Sequence, residues 1–123
     1  MQKDRVVAAY RKAIESLYTG LLTAVVRETS KDSMTKVSGL NEKTVYEDIP
    51  CRLSFSSAQN LKEDKVMVSE NIITLFTSPE IDIKINSKIT VKQNGYTYTL
   101  TNSNKKSYVT HNEYICKEFV RWL

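Results

Sequence analysis

A tight hairpin signal late in the chain constrains the fold more than any other sequence feature. Asn94 and Gly95 separate two stretches in which apolar and polar residues alternate, 81–91 and 96–100. An Asn-Gly pair readily adopts the positive φ angles of a two-residue type I′ turn, and strict alternation gives each strand one buried face. The pattern therefore predicts an antiparallel hairpin from Ile81 to Leu100, and with it a protein built mainly from strands.

The remaining periodicity predicts one helix followed by further strands. From Lys3 to Tyr18, apolar residues recur at three- and four-residue steps, which is typical of an amphipathic helix, and Gly20 is expected to end it. Strands are then predicted at 22–29, 44–55 and 70–77. The segment 112–123 fits neither period cleanly and could be helix or strand; its β-branched and aromatic residues favour a strand.

Polar segments between these strands are predicted to be loops: 30–43, 56–69 and 102–107. Pro50 interrupts the second strand, which is therefore expected to lie at an edge or to carry a bulge. One helix and five to six antiparallel strands close most economically as a small barrel or sandwich. We predict a single domain that is mainly β, with an N-terminal helix over 1–20 and an antiparallel β-barrel over 21–123.

Composition and charge leave the function broad. The chain has 123 residues, which suits one domain, and 18 basic against 14 acidic residues give a formal charge of +4. Its first residues lack the apolar core of a secretory signal, and no apolar run is long enough to cross a bilayer, so we expect a cytoplasmic site of synthesis and no membrane partner. Cys51 and Cys116 lie in predicted strands without metal-ligand spacing and are expected to be buried free thiols.

Residues that could carry chemistry are scattered. His111 is the single histidine, and the acidic pairs Glu80/Asp82 and Glu47/Asp48 are typical of solvated strand faces. Three glycines leave no phosphate-binding loop. We therefore predict no catalytic, cofactor-binding or metal-binding residues. A separate hypothesis is an enzyme that uses Cys116 with His111, which requires the fold to bring the two side chains together.

Several strings of residues carry a family resemblance over most of the chain after residue 17. The most specific are Tyr-Glu-Asp-Ile-Pro-Cys-Arg-Leu-Ser at 46–54 and Ser-Pro-Glu-Ile-Asp-Ile-Lys at 78–84, and Leu17-Tyr18, 75–77 and 87–95 add to them in the same order. Together they resemble the head-closure proteins, also called head-tail connector or minor capsid proteins, of siphoviruses and prophages of Gram-positive bacteria. The chain departs from that pattern at Ile85-Asn86, where members often carry a glycine-containing pair.

The resemblance implies a structural role in the virion, after assembly in the cytoplasm of the host bacterium. Such subunits form a homo-oligomeric ring of about twelve copies below the portal and its adaptor ring, retain the packaged DNA without sequence specificity, and dock a tail completion or tail terminator protein. The segment that matches their channel-facing loop is 56–69. Its candidate interface residues are Leu61, Lys62, Lys65, Val66 and Met67. We expect this segment to be mobile in the free subunit, since it is mostly polar.

The helix is a second candidate interface. Val6, Tyr10, Ile14 and Leu17 form one apolar stripe, which should pack on the barrel of its own chain or on a neighbour.

A rival hypothesis is a small single-strand nucleic-acid binder with an OB-like barrel. Tyr96 and Tyr98 share one strand face, near Lys88 and Lys92, and could stack on bases.

Overall fold

The protein is a closed six-stranded antiparallel β-barrel preceded by one helix, which confirms the predicted fold class. A computed structural model describes residues 2–31, 38–61 and 67–122. Its elements, in chain order, are α1 (Gln2–Glu15), β1 (Gly20–Lys31), β2 (Ser38–Leu61), β3 (Met67–Thr77), β4 (Lys88–Gln93), β5 (Tyr96–Ser107) and β6 (Asn112–Glu118). Around the barrel the strands follow the order β1-β2-β3-β6-β5-β4, and all neighbours are antiparallel.

The Asn-Gly hairpin forms as predicted between β4 and β5. Asn94 and Gly95 have φ angles of 53° and 80°, and Gln93 pairs with Tyr96 across the turn. The type I′ geometry matches the right-handed twist of the two strands, which is why this dipeptide fixes their register.

Alternate residues of the strands point into the barrel and form one apolar core. The core consists of Leu22, Ala24, Cys51, Leu53, Leu75, Ile83, Ile89, Val91, Leu100, Tyr114 and Cys116. Cys51 and Cys116 are both buried free thiols, as predicted. These side chains fill the barrel, so its interior is a packed core and not a channel.

Residues 81–87, which were predicted to be the first half of the hairpin, are not a strand. The strand β4 begins at Lys88, and Ser78 to Ser87 instead form a connection that we call the plug segment. Ile83 of this segment is 3% exposed and belongs to the core. The alternation of apolar and polar residues gave a wrong prediction here, because a buried loop residue between two polar neighbours produces the same pattern as a strand. Asn86 has a φ of 66°, in the left-handed region that asparagine adopts more readily than most residues, and so supplies a turn before β4.

Polar side chains inside the barrel hold the plug segment. The Asn112 amide donates to the carbonyl oxygen of Ile81 at 2.9 Å, and that oxygen also accepts the Tyr114 hydroxyl proton at 2.7 Å. Asn102 donates to the Ile83 carbonyl at 3.3 Å and accepts from the Ser87 amide at 3.2 Å. Buried backbone groups need such partners, so these polar core residues serve the irregular segment.

All three predicted loops are wrong in extent, because strands continue through them. Residues 38–43 and 56–61 belong to β2, residues 67–69 belong to β3, and residues 102–107 belong to β5. Backbone pairing between adjacent strands outweighs the polar composition there, since a strand at the surface needs few apolar residues. Residues 32–37 and 62–66 lie outside the described residues.

Two ribbons of paired strands extend past the barrel wall. Residues 26–31 of β1 pair with 38–43 of β2, and residues 56–61 of β2 pair with 67–72 of β3. In the described register, β4 pairs with β1 only as far as Val25, and β6 pairs with β3 only from Ile73. We call these ribbons the β1–β2 arm and the β2–β3 arm; β2 runs through both.

Pro50 lies at the place where β2 passes from one arm toward the other. Two bulges of β2 against β1 precede it, and Asp48 in the nearer bulge has a φ of 51°. Pairing with β3 begins at Arg52, so Pro50 occupies a stretch where β2 has its described neighbour on one side only. Of the two expected alternatives, an edge position or a bulge, the structure has a bulge just before Pro50.

Gly20 does not end the helix, contrary to the prediction. The helix ends at Glu15, and Gly20 begins β1 with a buried backbone. A Cβ atom at this position would lie 3.1 Å from Gln93 Oε1 and 3.2 Å from the Cys51 carbonyl oxygen. Glycine therefore leaves room for this close approach. Gln93 bonds both the amide (2.8 Å) and the carbonyl (3.2 Å) of Leu53, a β2 residue just past the start of β1.

The C-terminal segment is a strand only over Asn112–Glu118. Beyond it, the amide of Phe119 still donates to the Thr99 carbonyl at 3.0 Å. Trp122 then donates its indole proton to Glu42 at 2.9 Å, which holds the tail against the base of the β1–β2 arm.

Candidate assembly interface

The apolar stripe of α1 is largely uncovered. Val6 is 52% exposed and Tyr10 is 64% exposed, Leu17 is also exposed, and Ile14 is half-buried. In the part of the chain that the structure describes, Ile14 is the one partly covered residue of the stripe. Packing of the stripe on its own barrel or on a neighbouring copy stays a prediction. An amphipathic helix with its apolar face in water is a typical contact surface for a partner.

A polar bridge ties α1 to the start of the plug segment. The guanidinium of Arg11 donates to both carboxylate oxygens of Glu80, at 2.5 and 2.6 Å. The same guanidinium donates to Glu15 at 2.9 Å, and Glu15 in turn accepts a hydrogen bond from the Ser78 hydroxyl at 3.2 Å. The hydrogen bonds from Arg11 hold the pKa of Glu80 below its usual value. This bridge defines where the helix stands on the barrel.

The Tyr18 side chain fills the corner between the helix and the start of β1. Its hydroxyl oxygen is buried without a hydrogen-bond partner among the described residues. Burial raises the pKa of this phenol to about 12, and the nearby carboxylate of Glu15 adds to the effect. A buried polar atom without a partner has lost its hydration and gained nothing in return.

Replacing Tyr18 with phenylalanine should therefore stabilise the protein by about 1 kcal/mol, because the substitution removes a desolvated hydroxyl and keeps the ring. The measurement is chemical denaturation of the wild-type and variant proteins. Tyr10→Phe is the matched control, since its ring is exposed and its loss of a hydroxyl should change little. A loss of stability in Tyr18→Phe would show that a buried water bonds the hydroxyl.

A cluster of aromatic rings lies where the β2–β3 arm leaves the barrel. The ring centroids of Phe55 and Tyr98 are 5.2 Å apart, and those of Tyr96 and Tyr98 are 6.4 Å apart. Tyr96 is 67% exposed, so the cluster passes from the core into solvent. Beside it, a groove of about 440 Å³ runs from Ile73 of β3 to Phe119.

The lysines that were predicted to accompany these tyrosines lie on the other face of the sheet. Tyr98 pairs with buried Val91, whereas Lys92 pairs with Thr97 and Lys88 with Thr101. Side chains directly opposite in register share a face, so the tyrosines face inward and the lysines outward. Lys88 instead lies 5.4 Å from the centroid of the Phe119 ring. The interleaved basic and aromatic platform of the nucleic-acid hypothesis is not formed by these four residues.

His111 and Cys116 have separate surroundings. The two ring nitrogens of His111 lie 2.9 Å from the Thr110 hydroxyl and 2.8 Å from a Glu113 carboxylate oxygen, and its ring stacks on that of Tyr108. Cys116 lies in the core, where burial raises the pKa of its thiol to about 12. Near pH 7 the dominant form is therefore the neutral thiol, and a neutral thiol is a poor nucleophile.

The two carboxylates of the candidate pair Glu80/Asp82 bind different partners. Glu80 binds Arg11, whereas Asp82 accepts a hydrogen bond from Lys105 at 2.8 Å. Among the described residues, no group of three or more metal-ligating side chains comes together. Within the same residues, no helix is both long and apolar enough to span a membrane.

Comparison with known proteins gives one distant likeness. No protein-family profile matches the chain, and no curated protein matches it. Among solved structures, it is similar to the phage-like element PBSX protein xkdH from Bacillus subtilis, with 14% sequence identity and a TM-score of 0.47 over 80% of this chain and 90% of that chain. A likeness this distant carries no inference about partners.

The sequence identified the helix stripe but not the bridge that positions it. Arg11 and Glu80 are 69 residues apart, and Arg11 lies outside the strings that carry the resemblance. The signal that could have found the pair is a basic residue beside the apolar stripe together with a carboxylate in the string 78–84. That combination is too common on surfaces to be specific.

The segment 56–69, predicted to be a channel-facing loop, is paired strand over its described residues. Leu61 and Met67 are register partners at the end of the β2–β3 arm, so the segment is a paired ribbon up to these residues. Lys62, Lys65 and Val66 lie outside the described residues.

Proposed function

We propose that this chain is a head-closure subunit of a tailed phage or prophage. In this proposal, copies form a ring below the portal and adaptor rings, retain the packaged DNA and dock the tail. The observation that carries it is the combination of a closed barrel with contact surfaces of different kinds that the described part of the chain does not cover: the apolar stripe of α1 and the two strand-paired arms. A head-to-tail contact joins two different surfaces, so a chain that carries two different contact surfaces suits the closure of a ring.

The arms support an assembly role on physical grounds. A ribbon of two strands in water is only marginally stable, and its outer strand edges present unpaired backbone groups. A third strand or a packed neighbour would satisfy these groups, and copies arranged around a ring could supply one at every interface. In this proposal the end of the β2–β3 arm, with Leu61 and Met67, faces the channel of the ring.

The two most specific strings of the family resemblance meet in space. The hydroxyl of Tyr46, in the first string, accepts a hydrogen bond from the amide of Asp82, in the second, at 3.1 Å. The second string also contributes Glu80, which binds Arg11 of the helix. The residues that resemble the connector family thus position the plug segment and, through it, the helix.

The single-strand nucleic-acid binder is the second candidate. The exposed ring of Tyr96 beside the groove favours it, because an exposed aromatic ring can stack on a base. Fluorescence titration with a labelled oligonucleotide separates the two functions. Binding that Tyr96→Ala weakens about tenfold or more at physiological salt would favour the binder, whereas only weak, salt-sensitive and variant-insensitive binding is expected of a connector with a net charge of +4.

Electron microscopy of virions that lack this gene tests the proposal directly. We expect DNA-free or leaking heads and unattached tails, restored by the wild-type gene in trans. Filled heads joined normally to tails in the deletion strain would overturn the connector role.

Shortening the β2–β3 arm should separate its assembly role from folding. Replacing residues 57–71 with Asn-Gly joins Ser56 to Ile72, which are register partners, through a turn of the type already present after Gln93. The isolated variant should melt within a few degrees of wild type, because the core residues remain. In complementation we expect loss of DNA retention or of tail joining. Full complementation would show that the arm is dispensable.

A further inference from the structure

The helix α1 is attached to the barrel mainly through polar groups near its end. The described contacts from α1 that bridge to the plug segment come from Arg11 and Glu15, within the last five residues of the helix. The preceding nine residues extend about 13 Å beyond Arg11 at 1.5 Å per residue. Val6 and Tyr10, whose apolar side chains could have anchored this part, are more than half exposed.

The geometry of the bridge is that of a specific, directional contact. Arg11 places two guanidinium nitrogens on the two oxygens of Glu80, a paired arrangement that fixes orientation as well as distance. Glu15 bonds the third guanidinium nitrogen at 2.9 Å and holds the plane of the group in place. Lysine or a single hydrogen bond would leave the helix free to rotate about the contact.

The bridge is also weak enough to open. The side chain of Glu80 is 61% exposed and that of Arg11 is 34% exposed, so water and salt compete for both groups. The connection from the helix to β1 is a short turn that ends at Thr19, whose amide bonds the carbonyl of Leu17 at 3.0 Å. Opening the bridge would leave α1 held by this turn and by the half-buried side chains of Ile14 and Tyr18.

We propose that the Arg11–Glu80 pair is a latch that sets the angle at which α1 presents its apolar stripe to a second copy of the chain. The second copy as occupant rests on the proposed function, whereas the latch itself is a property of the free subunit. A closed latch holds the stripe in one orientation, so that a neighbour does not have to order the helix when it binds. An open latch leaves the stripe present but unoriented.

Distance measurements by pulsed electron paramagnetic resonance test the latch in the free, full-length protein. Spin labels at Ala8→Cys on the exposed face of α1 and at Lys92→Cys on the barrel report the helix angle, and the native Cys51 and Cys116 are buried and should not be labelled. We expect a narrow distance distribution in the parent protein, a broad one in Glu80→Gln, and a narrow one again in the charge-reversed pair Arg11→Glu with Glu80→Arg. Lys12→Gln is the matched control, since it removes a neighbouring exposed cation and leaves the bridge in place; it should keep the narrow distribution.

The same variants measured for self-association connect the latch to assembly. Glu80→Gln should need about fivefold more protein to assemble, which corresponds to the roughly 1 kcal/mol that a well-formed exposed ion pair contributes. The charge-reversed pair should recover most of that loss. An unchanged narrow distribution in Glu80→Gln would overturn the latch whatever the oligomeric state. A broad distance distribution in Glu80→Gln, together with a parent protein that never self-associates, would uphold the latch and overturn the proposed ring.

Discussion

Replacing Tyr114 with phenylalanine is expected to destabilise the protein by about 3 kcal/mol. The Tyr114 ring is fully buried, and its hydroxyl donates to the Ile81 carbonyl at 2.7 Å and accepts from the Ile83 amide at 3.0 Å. The substitution leaves the Ile83 amide in the core without this partner, and an unpaired buried backbone group costs roughly 1–3 kcal/mol. We expect the melting temperature to fall by roughly 10 °C, measured by circular dichroism.

Tyr96→Phe provides the control for this measurement. It removes the same hydroxyl from a side chain that is 67% exposed, so water replaces whatever the group contacted and stability should change little. Equal, small losses in both variants would show that the plug segment does not depend on the Tyr114 hydroxyl.

Placing aspartate at Val6 and Tyr10 is expected to abolish self-association and leave the fold intact. Both side chains are more than half exposed in the single chain, so charges there cost the free subunit little. Burying two large apolar side chains in an interface contributes about 3 kcal/mol or more, which corresponds to at least a hundredfold in affinity. The measurements are sedimentation velocity of the purified variant and head-tail joining in complementation.

Val109→Asp and Val120→Asp are the matched controls. Both valines are even more exposed, at 73% and 83%, and lie outside the helix. The controls should assemble like wild type. Normal assembly of the Val6 and Tyr10 variant would show that the stripe of α1 is not an interface, and a lowered melting temperature would show that it contacts the barrel after all.

Local patterns in the sequence were sufficient for the fold class because several of them agree. The Asn94-Gly95 turn, the alternation of β4 and β5, and the helical period of α1 each follow from backbone preferences that a short window contains. The turn formed where it was expected, whereas α1 ends earlier and β4 begins later than predicted. Agreement among such local signals is what lets a small barrel be inferred from one chain.

The errors lie where distant residues decide the local structure. Asn102 was assigned to a loop because it is polar, yet it is 1% exposed and its amide serves the plug segment. Ile83 was assigned to a strand because its neighbours alternate. Neither outcome is visible in a short window, since the plug segment is held by side chains as far as 69 residues away in the chain.

The candidate interface on α1 was also predictable only in part from the sequence. The stripe of Val6, Tyr10 and Leu17 could be read from its spacing, whereas its exposure could not, because exposure depends on what the barrel leaves uncovered. The partner of Arg11 was equally hidden, since Glu80 is brought to it only by the course of β3 and the plug segment.

The continuity of β2 through both arms limits how this chain can change in length. Side chains in a strand alternate with a period of two, so the insertion or deletion of one residue near Cys51 would turn every side chain on one side of that point to the opposite face of the sheet. The β1–β2 arm and the β2–β3 arm would then no longer be compatible with the same core. Variants of different length should therefore gain or lose residues in pairs or within the arms, where each strand in the described register pairs with one neighbour only.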